Sequence, residues 1–303
     1  MKDFNQIYKK IYDECYEEIE KKRKEKLRKR IILCAFCVII AIIIIFPFIS
    51  VSNLPILIFA SFVALYFIGF ICFVIFGNDY NKIYKNIIIS RLVSYYDENL
   101  EFNENLNIPE YKYKFAEFEN YDEFNSNDFI CGKIDGIIDF ELGDVRTINV
   151  STNSKGQKTR TTIFQGLFST GILGKNLPDT IKIRSDKGLL GKFLYNKTQM
   201  SMDSQEFEKY FDIYANDKIT AMRILTSDIM DYMIKFKKEN KVNFEITLKQ
   251  SSLYIRIHCK NMFEGSVLKN GLDFNTLYTY FKYLDFMCQL NKKIYNIINE
   301  KDF

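Results

Sequence analysis

The sequence predicts an α+β protein with an N-terminal amphipathic helix, a two-helix transmembrane hairpin, and a cytoplasmic domain of antiparallel sheet plus helices. Three observations predict it: an almost wholly apolar stretch, a Lys/Arg-rich segment before it, and period-two alternation further on. The expected parts are a basic juxtamembrane helix (1–30), the membrane helices (31–76), a connecting helix and linker (77–109), and the cytoplasmic domain (110–303).

The N-terminal segment carries apolar residues at spacings of three and four, a pattern typical of an amphipathic helix. Its opposite face is rich in Lys and Glu. We expect the apolar stripe to be an interaction surface, covered by the cytoplasmic domain, a second copy of the chain, a protein partner or the membrane surface. The stripe comprises Phe4, Ile7, Tyr8, Ile11, Cys15 and Ile19.

Two uncharged stretches, about 31–50 and about 54–76, are each long enough as helices to cross a hydrocarbon core of about 30 Å. Pro47 and Pro55 bracket a short turn between them. Lys and Arg flank the pair, so the sequence predicts a two-span integral protein of the cell membrane with both termini cytoplasmic. The basic cluster before the first stretch is read as a topology determinant that can also meet anionic headgroups. It comprises Lys21, Lys22, Arg23, Lys24, Lys26, Arg28, Lys29 and Arg30.

Composition indicates the source of the protein and the redox state of its cysteines. Richness in Ile, Lys and Asn with no Trp predicts a bacterial protein from an AT-rich genome. Three of the seven cysteines, Cys34, Cys37 and Cys72, lie in the apolar stretches, and the other four are scattered without metal-ligand spacing. All seven are read as reduced thiols in a reducing compartment. No metal and no cofactor are expected.

The domain after Pro109 shows short strand-like segments without helices between them, which indicates an antiparallel sheet. In the first of these, 111–115, Tyr and Phe alternate with Lys. Helices are expected from Thr226 or Ser227 to about Lys238, and from about Asn275 to Glu300. The other expected strands lie at 128–133, 137–142, 145–150, 159–168, 180–184, 242–248 and 253–259, with one more within 207–214.

Three stretches of this domain carry a family resemblance: TIFQGLF at Thr162–Phe168, EFEKYFDIY at Glu206–Tyr214, and 217–226. They are similar to T-x-F-x-G-L-F, E-F-E-K-Y-F-x-V-Y and D-x-x-x-A-x-x-I-L-T of domain-of-unknown-function family 3137, a bacterial membrane family. The chain has Met222 where the family often has Arg, and Ser227 where it has Pro. The resemblance implies the same order of parts and brings no activity, substrate or cofactor.

Candidates for chemistry are few. His258 is the one histidine of the chain, so a histidine-dependent dyad or triad has to use it. It lies beside Cys259 in an alternating strand, where neighbouring side chains point to opposite faces, and is read as an ordinary strand residue. Asp139 and Glu141 share a strand face, which suits either acid–base work and cation binding or a plain solvated face.

These features favour a non-enzymatic, membrane-anchored cytoplasmic scaffold that binds a protein partner or forms a homo-oligomer. One alternative is a membrane-bound enzyme acting on a lipid or envelope precursor, with Asp139 and Glu141 in its pocket. Another is a domain that binds anionic lipid through a second basic set. Nucleic acid is not an expected partner because no stacking motif accompanies the basic residues. The second basic set comprises Lys155, Lys158, Arg160, Lys182, Arg184, Lys187 and Lys192.

Overall fold

The computed structural model describes residues 3–45, scattered positions between 55 and 70, and residues 80–185, 199–260 and 262–300. Within them the chain forms a helical unit (3–92 and 263–277) and a sheet unit (93–262 and 278–300). The helices are α1 (Phe4–Ile45), α2 (Ser90–Tyr96, preceded by a π-helical turn at Lys85–Ile89), α3 (Glu110–Ala116), α4 (Gln205–Glu208), α5 (Lys218–Ile224), α6 (Ser227–Asn240) and α7 (Phe274–Glu300). The strands are β1 (Leu100–Asn103), β2 (Glu123–Ile134), β3 (Ile138–Thr152), β4 (Lys158–Ile172), β5 (Ile181–Ser185), β6 (Gln199–Met200), β7 (Phe211–Tyr214), β8 (Phe244–Lys249) and β9 (Ser252–His258).

The predicted transmembrane hairpin is not found. Helix α1 runs from the amphipathic segment into the apolar stretch without a break. Its uncharged part within the described residues runs from Ile31 to Ile45, which at about 1.5 Å per residue falls short of a hydrocarbon core of roughly 30 Å. No helix among the described residues is long and apolar enough to cross a membrane. The predictions of a transmembrane, integral membrane protein and of a two-span location in the cell membrane with cytoplasmic termini are therefore wrong.

Parts of both predicted spans cannot be compared residue by residue with the structure. Residues 46–50 of the first predicted span and most of 54–76 of the second lie outside the described residues. The connecting helix is described from Tyr80 onwards and ends at Tyr96.

The sheet unit is organised around one nine-stranded sheet with the order β1-β2-β3-β4-β9-β8-β5-β7-β6. Every pairing between neighbouring strands is antiparallel, as the sequence predicted. Strand β3 is continuous where two separate strands were expected. It is joined to β4 by a polar turn in which the Asn153 amide donates to the Gln157 carbonyl at 3.0 Å.

The segment predicted as the first strand, 111–115, is instead helix α3. Over only five residues, an alternation of Tyr and Lys is compatible with the period of a strand and with that of a helix. Burial of the side chains therefore decides which of the two forms. Tyr113 and Ala116, three residues apart, are buried, while Tyr111 is exposed. Pro109 holds extended backbone geometry at the helix start, a position where its missing amide hydrogen costs nothing.

The two faces of the sheet carry different side chains because strand residues alternate. On β8, the alternate apolar residues Phe244, Ile246 and Leu248 lie on the face that carries α6 and α7. There the Phe236 and Phe286 rings stack at 3.7 Å between centroids, and the Phe244 ring centroid lies 5.0 Å from that of Phe286. The opposite face carries Glu245 and, on β9, Arg256 and is covered in part by α3. This second face holds the site described next.

Candidate functional site

A groove of about 780 Å³ opens on the face of the sheet that carries α3. This volume lies in the range of ligand sites, roughly 300–1,000 Å³. We call it the α3 groove. It is lined by Tyr111, Lys112 and Phe115 of α3 and by Cys131, Gly132, Lys133, Asp139, Phe140, Glu141, Thr170, Ile172, Gln250, Ser252 and Tyr254 of the sheet and its turns.

The floor of the groove is set by strand register. Cys131 on β2 lies opposite Glu141 on β3, which lies opposite Thr170 on β4, which lies opposite Tyr254 on β9. Directly opposed residues have Cβ atoms about 4.5–5.5 Å apart on one face, so these four side chains form a continuous row. Four strands from distant parts of the sequence therefore build one floor.

Charged groups of opposite sign lie together in the groove. The Lys112 ammonium is 2.7 Å from a Glu141 carboxylate oxygen, and both side chains are about three-quarters buried. The Lys133 ammonium is 3.4 Å from Asp139, in a pair that is more than half exposed. The two carboxylates expected on one strand face thus both line the groove, and each has a lysine beside it.

A buried ion network fixes α3 to the sheet. Arg256 donates to Glu245 at 2.8 Å and to the Tyr113 hydroxyl at 2.8 Å, and it also bonds Glu119. Arg184 donates to the same Glu245, whose side chain is only 1% exposed. The Tyr113 hydroxyl in turn donates to Glu119 at 2.7 Å. Because Tyr113 is the buried face of α3, this network holds the wall of the groove in place.

Thiol and imidazole groups near the groove are poorly suited to nucleophilic chemistry. Burial raises the pKa of the Cys131 thiol, with the carboxylates of Glu101 and Glu141 adding to the rise. Burial raises the pKa of Cys259 to about 12. The His258 ring meets Phe164 edge-on at 4.9 Å between centroids. The part of the chain that the structure describes contains no group of three or more His, Cys, Asp or Glu placed to hold a metal ion.

These pKa directions predict slow thiol chemistry. At pH 8 the thiolate fraction of Cys259 should be about three orders of magnitude below that of an ordinary thiol of pKa about 8.5. We expect an uncharged disulfide reagent to modify Cys259 very slowly below pH 9 and faster as the pH rises, with Cys131 also slower than a model thiol. Peptide-level mass spectrometry would measure both rates, and urea should remove the difference. Modification of native Cys259 at the rate of a model thiol would contradict the described burial.

The predicted interaction stripe lies in the helical unit, where its side chains are largely covered. Phe4, Ile7, Ile11, Cys15 and Ile19 are buried. The stripe residue Tyr8 donates its hydroxyl hydrogen to the Leu272 carbonyl at 3.0 Å, and Phe274 packs edge-on against the Phe4 ring at 5.1 Å. The segment 263–277 of the same unit therefore covers much of the stripe.

Most members of the basic cluster that follows the stripe are exposed, and some members pair with glutamates of the same helix. Arg23 pairs with Glu20 at 2.6 Å, donates to the Val267 carbonyl at 2.9 Å, and lowers the pKa of Glu20 to about 2 through its hydrogen bond. Lys29 pairs with Glu25 at 2.9 Å. The exposed members are Lys21, Lys22, Lys24, Arg28 and Lys29, Lys26 is half-buried, and Arg30 is buried.

Three members of the second basic set pair with carboxylates along the sheet, while Lys155 and Lys158 are exposed. Arg160 pairs with Glu123 at 3.0 Å, and Lys182 pairs with Glu117 at 3.2 Å. Arg184 belongs to the buried network. Lys187 and Lys192 lie outside the described residues.

The first and third motif stretches have structural roles. Phe164 and Phe168 belong to the aromatic cluster under α3, and Gly166 lies against the β9 backbone. Asp217 caps α5 by accepting from the Ile219 and Thr220 amides at 3.0 and 3.1 Å. Thr226 stands at the cap position of α6 without a side-chain hydrogen bond to it. These two motifs therefore specify packing and helix ends, and the groove lining lies mostly elsewhere.

Sequence reasoning found Asp139 and Glu141 and missed the rest of the groove. Tyr111, Lys112 and Phe115 were assigned to a strand, which hid their position on a helix face. Tyr254 and Thr170 meet only through the pairing of β4 with β9, a contact that local periodicity does not reveal.

Residues 162–295 match the model of the family described as "Protein of unknown function (DUF3137)", which confirms the family resemblance over that range. No curated protein matches the sequence. A comparison with solved structures matches the mycobacterial trehalose monomycolate transport factor A, TtfA, at 8% sequence identity and a TM-score of 0.35. The match covers 72% of this chain and 93% of that one.

Proposed function

We propose that the sheet unit, whose core falls within a family of unknown function, is a non-enzymatic binding module that holds a segment of a partner protein in the α3 groove. The observation that supports this is the composition of the groove. Aromatic walls on α3 stand over a floor of lysine-paired carboxylates, all carried by a sheet and by a helix that buried ion pairs hold in place.

The aromatic groups resemble the anchors of protein interfaces. Tyr111 is 67% exposed at the rim, and Phe115 and Ile172 are 38% and 41% exposed. Interfaces concentrate binding energy in Tyr and other large side chains within pockets, surrounded by polar groups that fix register. A protein segment can bury these three side chains while polar atoms of its backbone meet Lys133 and Asp139.

The groove favours binding over catalysis. Its thiol, Cys131, has a raised pKa and is mainly protonated near neutral pH. Its two carboxylates each lie beside a lysine ammonium, an arrangement that positions polar groups. An enzyme acting on a lipid or envelope precursor would instead depend on Asp139. We therefore expect Asp139→Asn to weaken partner binding by about five- to tenfold, the loss of one charge-assisted contact, and not to abolish it.

Site-directed photocrosslinking tests the proposal in the full-length chain. A photoreactive benzoylphenylalanine replaces Tyr111 at the rim, and in a matched variant it replaces Ile219 on α5, which is equally exposed at 67% and is not among the groove residues. We expect irradiation in cells to attach one defined protein segment to position 111 and not to position 219. A synthetic peptide of that segment should bind the purified chain.

The groove itself is tested by filling it. Thr170 is buried in the floor, so Thr170→Tyr should block the peptide and abolish the adduct at position 111. The same adduct on the filled variant, equal labelling at 111 and 219, or a lipid adduct at 111 in place of a peptide would each overturn the proposal. Far-UV circular dichroism of the Thr170→Tyr chain shows whether the sheet is intact.

A further inference from the structure

We infer that the α3 groove selects partner segments carrying an arginine or lysine side chain beside an apolar one, an inference that rests on the binding function proposed above. The recognised chemistry is a guanidinium or ammonium group on the carboxylates of the floor. The apolar neighbour is placed on the aromatic and aliphatic wall.

Charge complementarity is the first support. The row of floor residues continues onto β1, where Glu101 lies opposite Cys131. The carboxylates of Glu101, Asp139 and Glu141 thus stand against the ammonium groups of Lys112 and Lys133. The lining itself balances two carboxylates against two ammonium groups, and Glu101, on the strand next to it, adds one negative charge. The most exposed pair, Lys133 with Asp139, holds its lysine only weakly.

The Cys131 thiol reports the sign of the potential at the floor. Its pKa is raised first by burial and then by Glu101 and Glu141. Burial opposes a charge of either sign, whereas the two carboxylates oppose a further negative charge and favour a positive one. An arriving cation therefore meets a favourable field where the floor is partly withdrawn from water.

The walls add a second attraction for a cation. Aromatic ring faces attract ammonium and guanidinium groups within about 6 Å. The rings of this groove already do so, because the Lys249 ammonium lies 4.3 Å from the Phe115 centroid and the Lys112 ammonium 5.9 Å from that of Tyr111. Arginine can bond a carboxylate through two parallel N–H groups while its plane stacks on a ring. We therefore expect a partner's arginine to displace Lys133 from Asp139 more readily than a partner's lysine would.

The test uses the full-length chain and defined peptide mixtures. Heptapeptides carry arginine at the centre and every residue except cysteine at the other positions. Matched mixtures carry citrulline, which keeps the shape of arginine without its charge, or glutamate. Occupancy is read as slower alkylation of Cys131 by N-ethylmaleimide at pH 8.5, measured by mass spectrometry. The exposed Cys34 of α1, which is not a groove residue, is the internal reference.

We expect the arginine mixture to protect Cys131 at about five- to tenfold lower concentration than the citrulline mixture, the effect of one charge-assisted contact, and glutamate to protect least. Raised salt should weaken the arginine effect. Glu141→Gln should reduce the preference for arginine. Asp228→Asn is the control and should not change that preference, because Asp228 is 76% exposed, pairs with Lys293 and is not a groove residue.

Three outcomes would overturn the inference. Equal protection by arginine and citrulline means that a segment binds without charge selection, which leaves the proposed binding function standing. Protection by anionic phospholipid vesicles and not by any peptide assigns the groove to lipid headgroups. No protection by any mixture, together with no peptide adduct at position 111, removes the inference and the proposed function together.

Discussion

Replacing Gly166 by alanine should destabilise the sheet unit by about 3 kcal/mol or more. Gly166 lies on β4 opposite His258 of β9 with a φ of +156°. A Cβ there would overlap the Ile257 carbonyl oxygen and stand 2.8 Å from the Cys259 nitrogen. Both are backbone atoms, so neither can move aside without breaking the β4–β9 pairing. Urea unfolding of the full-length chain, followed by far-UV circular dichroism, measures the loss as a lower midpoint.

Gly156→Ala is the matched control for backbone strain without collision. Gly156 has a φ of +78° in the β3–β4 turn, and a Cβ there would meet nothing within 4 Å. Gly156→Ala should lower the free energy of unfolding by only about 1–2 kcal/mol, the cost of holding an alanine in the left-handed region of backbone conformation. Equal midpoints for the two variants would show that β9 does not lie against Gly166 as described.

Arg256→Met should be comparably damaging, at about 3–5 kcal/mol, because it leaves buried carboxylates without their main counter-charge. Arg256 is 3% exposed, and it contacts Glu245, Glu119 and the Tyr113 hydroxyl. Its guanidinium also lies over the Phe118 and Phe164 rings at 4.5 and 4.9 Å. The variant should lose urea stability, and hydrogen exchange in peptides covering α3 should rise, since Tyr113 loses its anchor.

Two variants separate the network from a general effect of charge removal. Arg256→Lys keeps the charge without the planar fork, so its loss should be intermediate. Lys293→Met removes an ammonium from a pair with the exposed Asp228 and should cost no more than about 1 kcal/mol. A loss for Arg256→Met as small as that for Lys293→Met would mean that the network contributes little to the stability of the sheet unit.

Much of the sheet could be read from the sequence because its strands alternate cleanly. The hairpin of β8 and β9 and the long helix α7 were predicted within a few residues, since Phe244–Leu248 and Leu253–Ile257 show period two and α7 shows a long apolar stripe. Helix α3 was misread because five residues fit either period, and tertiary packing of Tyr113 decided between them.

The groove and the buried network depend on contacts that no local pattern encodes. Glu245 and Arg256 are close in sequence, but their partners Arg184 and Glu119 arrive from elsewhere in the chain. A charged residue on an alternating strand normally indicates a solvent-exposed face of the sheet. Glu245 and Arg256 lie instead on a face that α3 covers. The transmembrane hairpin rested on hydropathy, segment length, the bracketing prolines and the flanking Lys and Arg residues, and the described part of α1 does not meet the length that such a helix needs.

The strand order sets the sequence in which the groove can be completed during synthesis. Strands β1 to β4 pair with their neighbours in the chain as they emerge, but the free edge of β4 from Gly166 to Ile172 finds its partner only when Ser252–His258 has been made. Non-local pairing of this kind is slow, and an exposed strand edge is a site for pairing with other chains. A nascent or truncated chain that ends before β9 therefore presents an apolar, aggregation-prone edge and lacks Tyr254 and Ser252 of the groove, so the groove is completed and the β4 edge is covered in the same late step.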